Sequence, residues 1–134
     1  MATEITQLRS LISEEGKLRL SLEPLSLADP KPHEVVVRME AAPINPSDLM
    51  MLLGPADPGT LSFSGTAESP IVEAVVPESG MKMVAARVGQ SLPVGNEGAG
   101  VVVAAGDSDD AQALLGRTVG LFGGETYSTH RCVP

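Results

Sequence analysis

The stretch AAPINPSDLMMLLG, Ala41 to Gly54, decides the fold, because a run of strand-forming residues ends in it and a short helix begins. Pro46 presets φ for a first helical turn, and Asn45 directly before it is a favoured N-cap. Ser47 and Asp48 then fall in the first turn, where negative charge suits the helix dipole. The pattern predicts a strand-to-helix corner that groups polar side chains, either as ordinary caps or as part of a functional site.

The composition of the whole chain indicates a soluble, single-domain protein with an aliphatic core. Of the 134 residues, 43% are hydrophobic but only 2% are aromatic. The net charge is −8 and no cluster of Lys or Arg occurs, which argues against a nucleic-acid partner. The single cysteine, Cys132, excludes an internal disulfide, and no apolar run reaches the roughly 20 residues of a membrane span. We therefore expect a cytoplasmic protein with no membrane partner.

Short strands separated by glycine and proline dominate the pattern. Leu18, Leu20 and Leu22 alternate with polar residues, which is typical of a half-buried strand. Strands are predicted at 5–12, 17–25, 34–42, 60–64, 71–76, 99–105, 117–122 and 125–133, and short helical turns after Asn45, near 81–88 and at 111–115. Together, these strands and helical turns predict a mainly antiparallel β-barrel or sandwich with a few short helices.

Two further motifs are weak evidence for chemistry when taken alone. The glycines of GNEGAG, Gly95 to Gly100, precede a Val-rich strand, whereas a dinucleotide fingerprint follows a strand and opens a helix. We therefore expect no phosphate binding at this turn. His130 and Cys132 lie two apart on a predicted strand, so their side chains point the same way. An isolated pair of this kind is more often structural, and the spacing supports no metal site.

Three segments, in order, resemble a known family: AAPINPSD at 41–48, PVGNEGAGVVVAAG at 93–106 and GRTVGLFGGETYSTHRCVP at 116–134. Together they are similar to the N-terminal, GroES-like catalytic domain of the medium-chain dehydrogenase/reductase superfamily. The closest resemblance is to its zinc-independent branch, the quinone oxidoreductases (zeta-crystallin-like) and 2-enoyl thioester reductases. The resemblance runs from about Lys31 to Pro134, with an apparent insertion at about 55–90, and implies a partly open, GroES-like β-barrel.

Departures from the zinc-dependent members indicate what the site would contain. Those members carry Cys where this chain has Asn45 and His where it has Asn96, and amides are poor zinc ligands. The resemblance thus implies no zinc. It also implies that Asn45 hydrogen-bonds the substrate or the nicotinamide ribose, as a catalytic and cofactor-binding residue. Ser47 and Asp48 would lie beside it, and Asn96 and Glu97 would approach the substrate from the other wall. The tyrosine that enoyl reductases place shortly after this corner is missing here.

The resemblance also implies a partner domain. Family members bind NADPH or NADH with a Rossmann domain that follows this one, and no such pattern occurs before Pro134. We expect the substrate-side domain of an NAD(P)H-dependent oxidoreductase that reduces a quinone, enone or enoyl thioester acceptor, inactive as this chain alone. The surface on which the Rossmann domain would dock is expected to be exposed in this chain and would allow homo-oligomers. The insertion at 55–90 suggests a lid over the substrate cleft.

The sequence leaves two alternative functions open. One is a stand-alone GroES-like binding or assembly module without catalysis. The weaker one is an enzyme built on His130 and Cys132.

Overall fold

The computed structural model describes residues 2–134 and is mainly β within them. It contains nine strands, three short α-helices and one 3-10 helix across these residues. The strands are β1 (Thr3–Ile12), β2 (Lys17–Leu27), β3 (Val35–Ala41), β4 (Asp57–Gly65), β5 (Pro70–Val75), β6 (Leu92–Pro93), β7 (Glu97–Ala105), β8 (Thr118–Phe122) and β9 (His130–Val133). The helices are α1 (Pro46–Leu52), α2 (Glu78–Met83) and α3 (Asp109–Gln112), with the 3-10 helix at Ala85–Arg87. No helix within residues 2–134 has the length and apolar character to cross a membrane.

The chain divides into two compact units, each with its own antiparallel sheet. The first unit comprises the segment ending at Gln7 together with Pro24–Pro43 and Gly95–Pro134. Its sheet has the order β8-β7-β3-β9. β-Branched side chains suit the pleated, buried surface of these strands, and the core consists of Val35, Val37, Val102 and Ala111.

Close packing of β3 against β7 in this unit depends on two glycines within β7. A Cβ atom on Gly100 would collide with the carbonyl oxygen of Arg38, and one on Gly98 would lie 2.6 Å from Cε of Met39. The ladder also shifts register between Val36 and Val37. Gly98 and Gly100 of the GNEGAG motif are therefore needed for close strand packing.

The second unit comprises Leu8–Glu23 and Ile44–Val94. Its sheet has the order β4-β5-β2-β1-β6. Its core consists of Ile12, Leu18, Leu20 and Val76. Leu18 and Leu20 are buried while Lys17 and Arg19 are exposed, so the predicted alternation of β2 is confirmed over these residues, whereas Ser21 and Leu22 are both half-buried.

The region at 55–90 has regular structure within this second unit. The predicted hairpin is confirmed, because β4 pairs with β5 and β5 in turn pairs with β2. The ambiguous stretch at 81–88 contains the end of α2 and the 3-10 helix. The hairpin is thus an edge of the sheet.

Some predicted boundaries were wrong, and the last strand was the clearest case. It was expected from 125 to 133 but extends only from His130 to Val133. Gly123 and Gly124 have φ of +118° and +98°, and Glu125 has φ of +60°. These left-handed conformations cannot continue a strand. The helix expected at 111–115 lies at Asp109–Gln112 instead, where Ser108 Oγ accepts a hydrogen bond from Ala111 N–H as an N-cap.

Candidate active site

The corner between β3 and α1 is built as the sequence predicts. Asn45 is the N-cap residue of α1, with φ −90° and ψ 160°, and Pro46 opens the helix. Asp48 Oδ2 accepts a hydrogen bond of 2.8 Å from Asn45 N–H, and Asp48 N–H donates to the Asn45 carbonyl oxygen at 2.9 Å. Asp48 is fully buried, Asn45 is half-buried and Ser47 is exposed. The Asp48 carboxylate therefore holds the Asn45 backbone at the start of the helix.

The opposite end of α1 is held by a guanidinium group that sequence reasoning missed. Arg87 Nη1 donates to the Met51 carbonyl oxygen at 3.3 Å, and Arg87 Nη2 donates to Ser10 Oγ at 2.7 Å. Ser10 Oγ also donates to the Met51 carbonyl oxygen at 3.2 Å. Partial burial lowers the pKa of Arg87, yet a guanidinium remains charged at neutral pH. A positive charge near the carbonyl end of a helix is favourable, so Arg87 stabilises the last turn of α1.

A cleft of about 360 Å³ lies in the first unit, where the ends of β3 and β8 and the start of β7 are near one another. Its lining residues are Ala41, Pro43, Glu97, Gly98, Ala99, Gly120, Leu121 and Phe122. All of these except Glu97 are apolar, so the cleft suits an apolar ligand with few polar groups.

Small residues keep this cleft open. A Cβ atom built on Gly120 meets no atom within 4 Å, so the missing side chain leaves space. Phe122 is 87% exposed, which places a bare aromatic ring at the rim. The arrangement offers a mostly apolar surface beside an exposed aromatic ring, and aromatic rings stack well against planar molecules.

Main-chain hydrogen bonds connect the Gly95–Asn96 turn to the end of β8. The Asn96 carbonyl oxygen accepts from Gly123 N–H at 3.0 Å and from Gly124 N–H at 3.2 Å. Tyr127 Oη donates to the Pro43 carbonyl oxygen at 2.8 Å, which fixes the chain where the corner stretch leaves β3. These bonds hold the glycine turns that shape the cleft.

A second, smaller cleft of about 190 Å³ lies beside Ala41 in the same unit. Met39, Glu40, Ala42, Thr126, Tyr127 and Ser128 also line it. Thr126 is 2% exposed, and its Oγ1 has no hydrogen-bond partner among residues 2–134. This wall is more polar than that of the larger cleft.

The five predicted site residues fall into two groups. Asn45, Ser47 and Asp48 belong to the second unit, whereas Asn96 and Glu97 belong to the first. Of the five, Glu97 lines the large cleft. The apolar lining residues were missed because single alanine, glycine and leucine residues carry no chemical signal in a sequence.

The His130 and Cys132 pair lies on β9, opposite Arg38 and Val36 of β3. Cys132 Sγ donates a hydrogen bond of 3.5 Å to Glu34 Oε2. Burial raises the pKa of Cys132, and the bond to the Glu34 carboxylate raises it further. A raised pKa leaves the thiol protonated and weakly nucleophilic at neutral pH. Within residues 2–134, no group of three His, Cys, Asp or Glu side chains is arranged to hold a metal ion.

Comparison with known proteins gives a likeness among solved structures. No protein-family model matches the chain, and no curated protein matches it. Among solved structures, the chain is similar to a candidate NADPH:quinone reductase from Mesorhizobium loti, at 19% sequence identity and a TM-score of 0.55. The match covers 99% of this chain and 35% of that protein, so the chain spans about a third of its length. The likeness and the two antiparallel sheets together confirm the predicted mainly β, GroES-like fold class.

Proposed function

We propose that this chain is the substrate-side domain of an NAD(P)H-dependent oxidoreductase of the medium-chain dehydrogenase/reductase superfamily, without catalytic zinc. The observation that carries the proposal is that all three resemblance motifs contribute to the large cleft. Ala41 and Pro43 come from the first motif, Glu97–Ala99 from the second and Gly120–Phe122 from the third. The similarity to a candidate NADPH:quinone reductase supports the same class.

The shape of the cleft favours a planar, conjugated carbonyl acceptor, as in a quinone, enone or enoyl thioester. Its small residues and the Phe122 ring would stack on the flat acceptor. We further propose that Asn45 donates a hydrogen bond to negative charge developing on the acceptor's carbonyl oxygen, since an amide N–H fixed near that oxygen stabilises it. Ser47, Asp48, Asn96 and Glu97 remain proposed neighbours of the acceptor.

NADPH or NADH would supply the hydride, held by a Rossmann domain of the full-length enzyme. The glycine turn of this chain does not fit the pyrophosphate, because Gly98 and Gly100 are occupied in packing β7 against β3. We propose that this chain meets the nicotinamide end of the cofactor, with Asn45 as the contact to its ribose. The apolar side chains of Ile44 and Met50 are 70% and 61% exposed, and we propose that they contact the docking domain.

The experiment that tests the cleft uses this chain and a soluble quinone, duroquinone. Titration followed by two-dimensional amide NMR should shift the signals of Glu97–Ala99 and Gly120–Phe122. Gly120→Val should abolish these shifts, because a Cβ atom at this position meets no atom within 4 Å, so the new side chain occupies cleft space, and valine suits a strand. Thr118→Val, on the same strand but outside the cleft, is the matched control.

Two outcomes would contradict the proposal. One is unchanged binding by the Gly120→Val variant, and the other is shifts confined to residues elsewhere. In the full-length enzyme, the same substitution should raise KM for the quinone while KM for NADPH stays within about twofold.

The alternative of a binding or assembly module makes the opposite prediction. Such a module should bind no quinone, and it should be found without a cofactor domain in its natural chain.

A further inference from the structure

The hairpin β4–β5 ends the sheet of the second unit, and β4 is its edge strand. Every residue of β4 is exposed except Leu61, which is half-buried. An edge strand presents unpaired main-chain N–H and C=O groups that can pair with another chain. The main-chain groups along this edge are therefore accessible to a partner strand.

The register of the hairpin shows which groups point outward. Thr66 N–H donates to the Ser69 carbonyl oxygen at 3.2 Å, which closes the turn with a hydrogen-bonded pair. Hydrogen-bonded and non-hydrogen-bonded pairs alternate in an antiparallel ladder. Ser64 opposite Ile71 is thus hydrogen-bonded, and Phe63 opposite Val72 is not. The N–H and C=O of Phe63 therefore point away from β5, whereas Leu61 lies in the irregular part of the ladder and has no partner in β5.

The apolar face of the sheet continues to this edge without cover. Leu20 of β2, Val72 of β5 and Phe63 of β4 lie in one row across three strands. Leu20 is 9% exposed in the core, whereas Phe63 at the end of the row is 77% exposed. The row that forms the core thus ends in a bare aromatic ring.

The usual protections of an edge strand are missing from this part of β4. Residues 58–67, PGTLSFSGTA, contain no charged side chain, although the chain has seventeen acidic residues and a net charge of −8. Pro58 and the irregular register between Asp57 and Ser62 protect only the first half of the strand. Electrostatic repulsion between two copies of this acidic chain is therefore weakest where their uncharged segments 58–67 meet.

We propose that the β4 edge is a self-pairing surface, through which two copies of this chain join their second-unit sheets antiparallel about a two-fold axis at Ser62. Leu61 of each copy would then lie opposite Phe63 of the other. These two pairs would exchange about four main-chain hydrogen bonds, and their side chains would pack across the strands on one face. The interface is isologous, as in most dimers. The inference does not depend on the proposed catalytic function.

Analytical ultracentrifugation of this chain over micromolar concentrations tests the association. A concentration-dependent monomer–dimer equilibrium is expected. Phe63→Lys places like charges across the axis and should raise the dissociation constant about tenfold or more. Phe122→Lys removes an equally bare aromatic residue on the other unit and should leave the dissociation constant unchanged. A chain that stays monomeric, or that loses its dimer with Phe122→Lys alone, overturns the proposal.

The register has its own test, in a Cys132→Ser background. Ser62 would face its own copy in a non-hydrogen-bonded pair, where Cα atoms lie about 4.5 Å apart, a distance that a disulfide can bridge. Ser62→Cys should therefore cross-link readily under mild oxidation. Ser64→Cys on the same exposed face should cross-link at least about tenfold more slowly, because it lies farther from the axis. Equal rates would contradict the two-fold axis at Ser62, and circular dichroism establishes that each variant is folded.

Discussion

Asn45 has two roles: it is the N-cap residue of α1, and it is the proposed hydrogen-bond donor to the acceptor. Its backbone is held by the Asp48 carboxylate at 2.8 Å, while its side chain is carried on a half-buried position at the start of α1. A side chain on a backbone fixed in this way can be positioned without relying on a flexible loop. Asn45 and Asp48 also form a capping box at the helix start, so the Asn45 side chain has a structural role beside the proposed one.

We predict that Asn45→Ala in the full-length enzyme lowers kcat by about 10- to 100-fold, the usual effect of losing one donor to a developing oxyanion. Steady-state kinetics with a quinone and NADPH, together with a thermal melt, provides the measurement. The melting midpoint should fall by a few degrees as well, because the capping side chain is lost, so kcat is measured at a temperature where the variant is fully folded. Unchanged kcat would show that Asn45 only caps the helix.

Cys132 offers a second prediction at the scale of a residue. Burial and the nearby Glu34 carboxylate both raise the pKa of its thiol. Removing the carboxylate charge should lower that pKa and increase the thiolate fraction at mildly alkaline pH. Glu34→Gln should therefore speed alkylation of Cys132 by iodoacetamide about two- to fivefold.

Mass spectrometry of the alkylated chain as a function of pH measures that rate, and the mid-point of the profile should move to lower pH in the variant. Glu40→Gln is the control, because Glu40 pairs with Arg38 on the surface at 2.9 Å. A profile that does not move would mean that burial alone sets the pKa.

At the scale of an element, α1 is short and depends on its ends. It has only seven residues, fewer than an isolated helix needs for stability in water. Asp48 satisfies a main-chain donor at its start, and Arg87 binds a carbonyl oxygen in its last turn. The helix is thus stabilised by contacts from outside its own backbone ladder.

Asp48→Ala should therefore destabilise the chain by about 1–3 kcal/mol, because the Asn45 N–H loses its acceptor in a buried place. Urea unfolding followed by circular dichroism measures the free energy of unfolding. Ser47→Ala, at the adjacent exposed position, should change it by less than about 0.5 kcal/mol. Similar losses for both variants would contradict the assigned role of Asp48.

At the scale of the whole molecule, charge opposes self-association. The chain carries a net charge of −8 at pH 7, and its sequence pI is about 4.6. Mutual repulsion keeps such a protein dispersed, and it vanishes as the carboxylates are protonated. The self-pairing proposed for β4 should therefore strengthen as the net charge falls.

We predict that light scattering by this chain rises as the pH is lowered from 7 towards 4.6 and falls again when neutral pH is restored. Phe63→Lys should blunt the rise while Phe122→Lys should not, if the association uses the β4 edge. Scattering that stays flat through the isoelectric point would show that charge does not limit association.

Much of the local structure follows directly from the sequence. The alternation at Leu18 and Leu20 and the Asn45–Pro46 helix start rest on neighbours a few residues apart. Short-range backbone sterics and side-chain periodicity decide such features. The boundary of the last strand was harder, because the positive φ of Glu125 is not encoded in its residue type.

Tertiary structure alone decided where the three motifs meet. Ala41 and Gly98 come together because β3 pairs with β7, and Gly120 joins them because β7 pairs with β8. Strand pairing across more than fifty residues depends on which faces can be buried together, and residue spacing along the chain does not contain that information. The sequence by itself therefore determined the strands, the capped corner and the polar site residues. The apolar cleft and the bare β4 edge arise from long-range main-chain pairing, which only the folded chain defines.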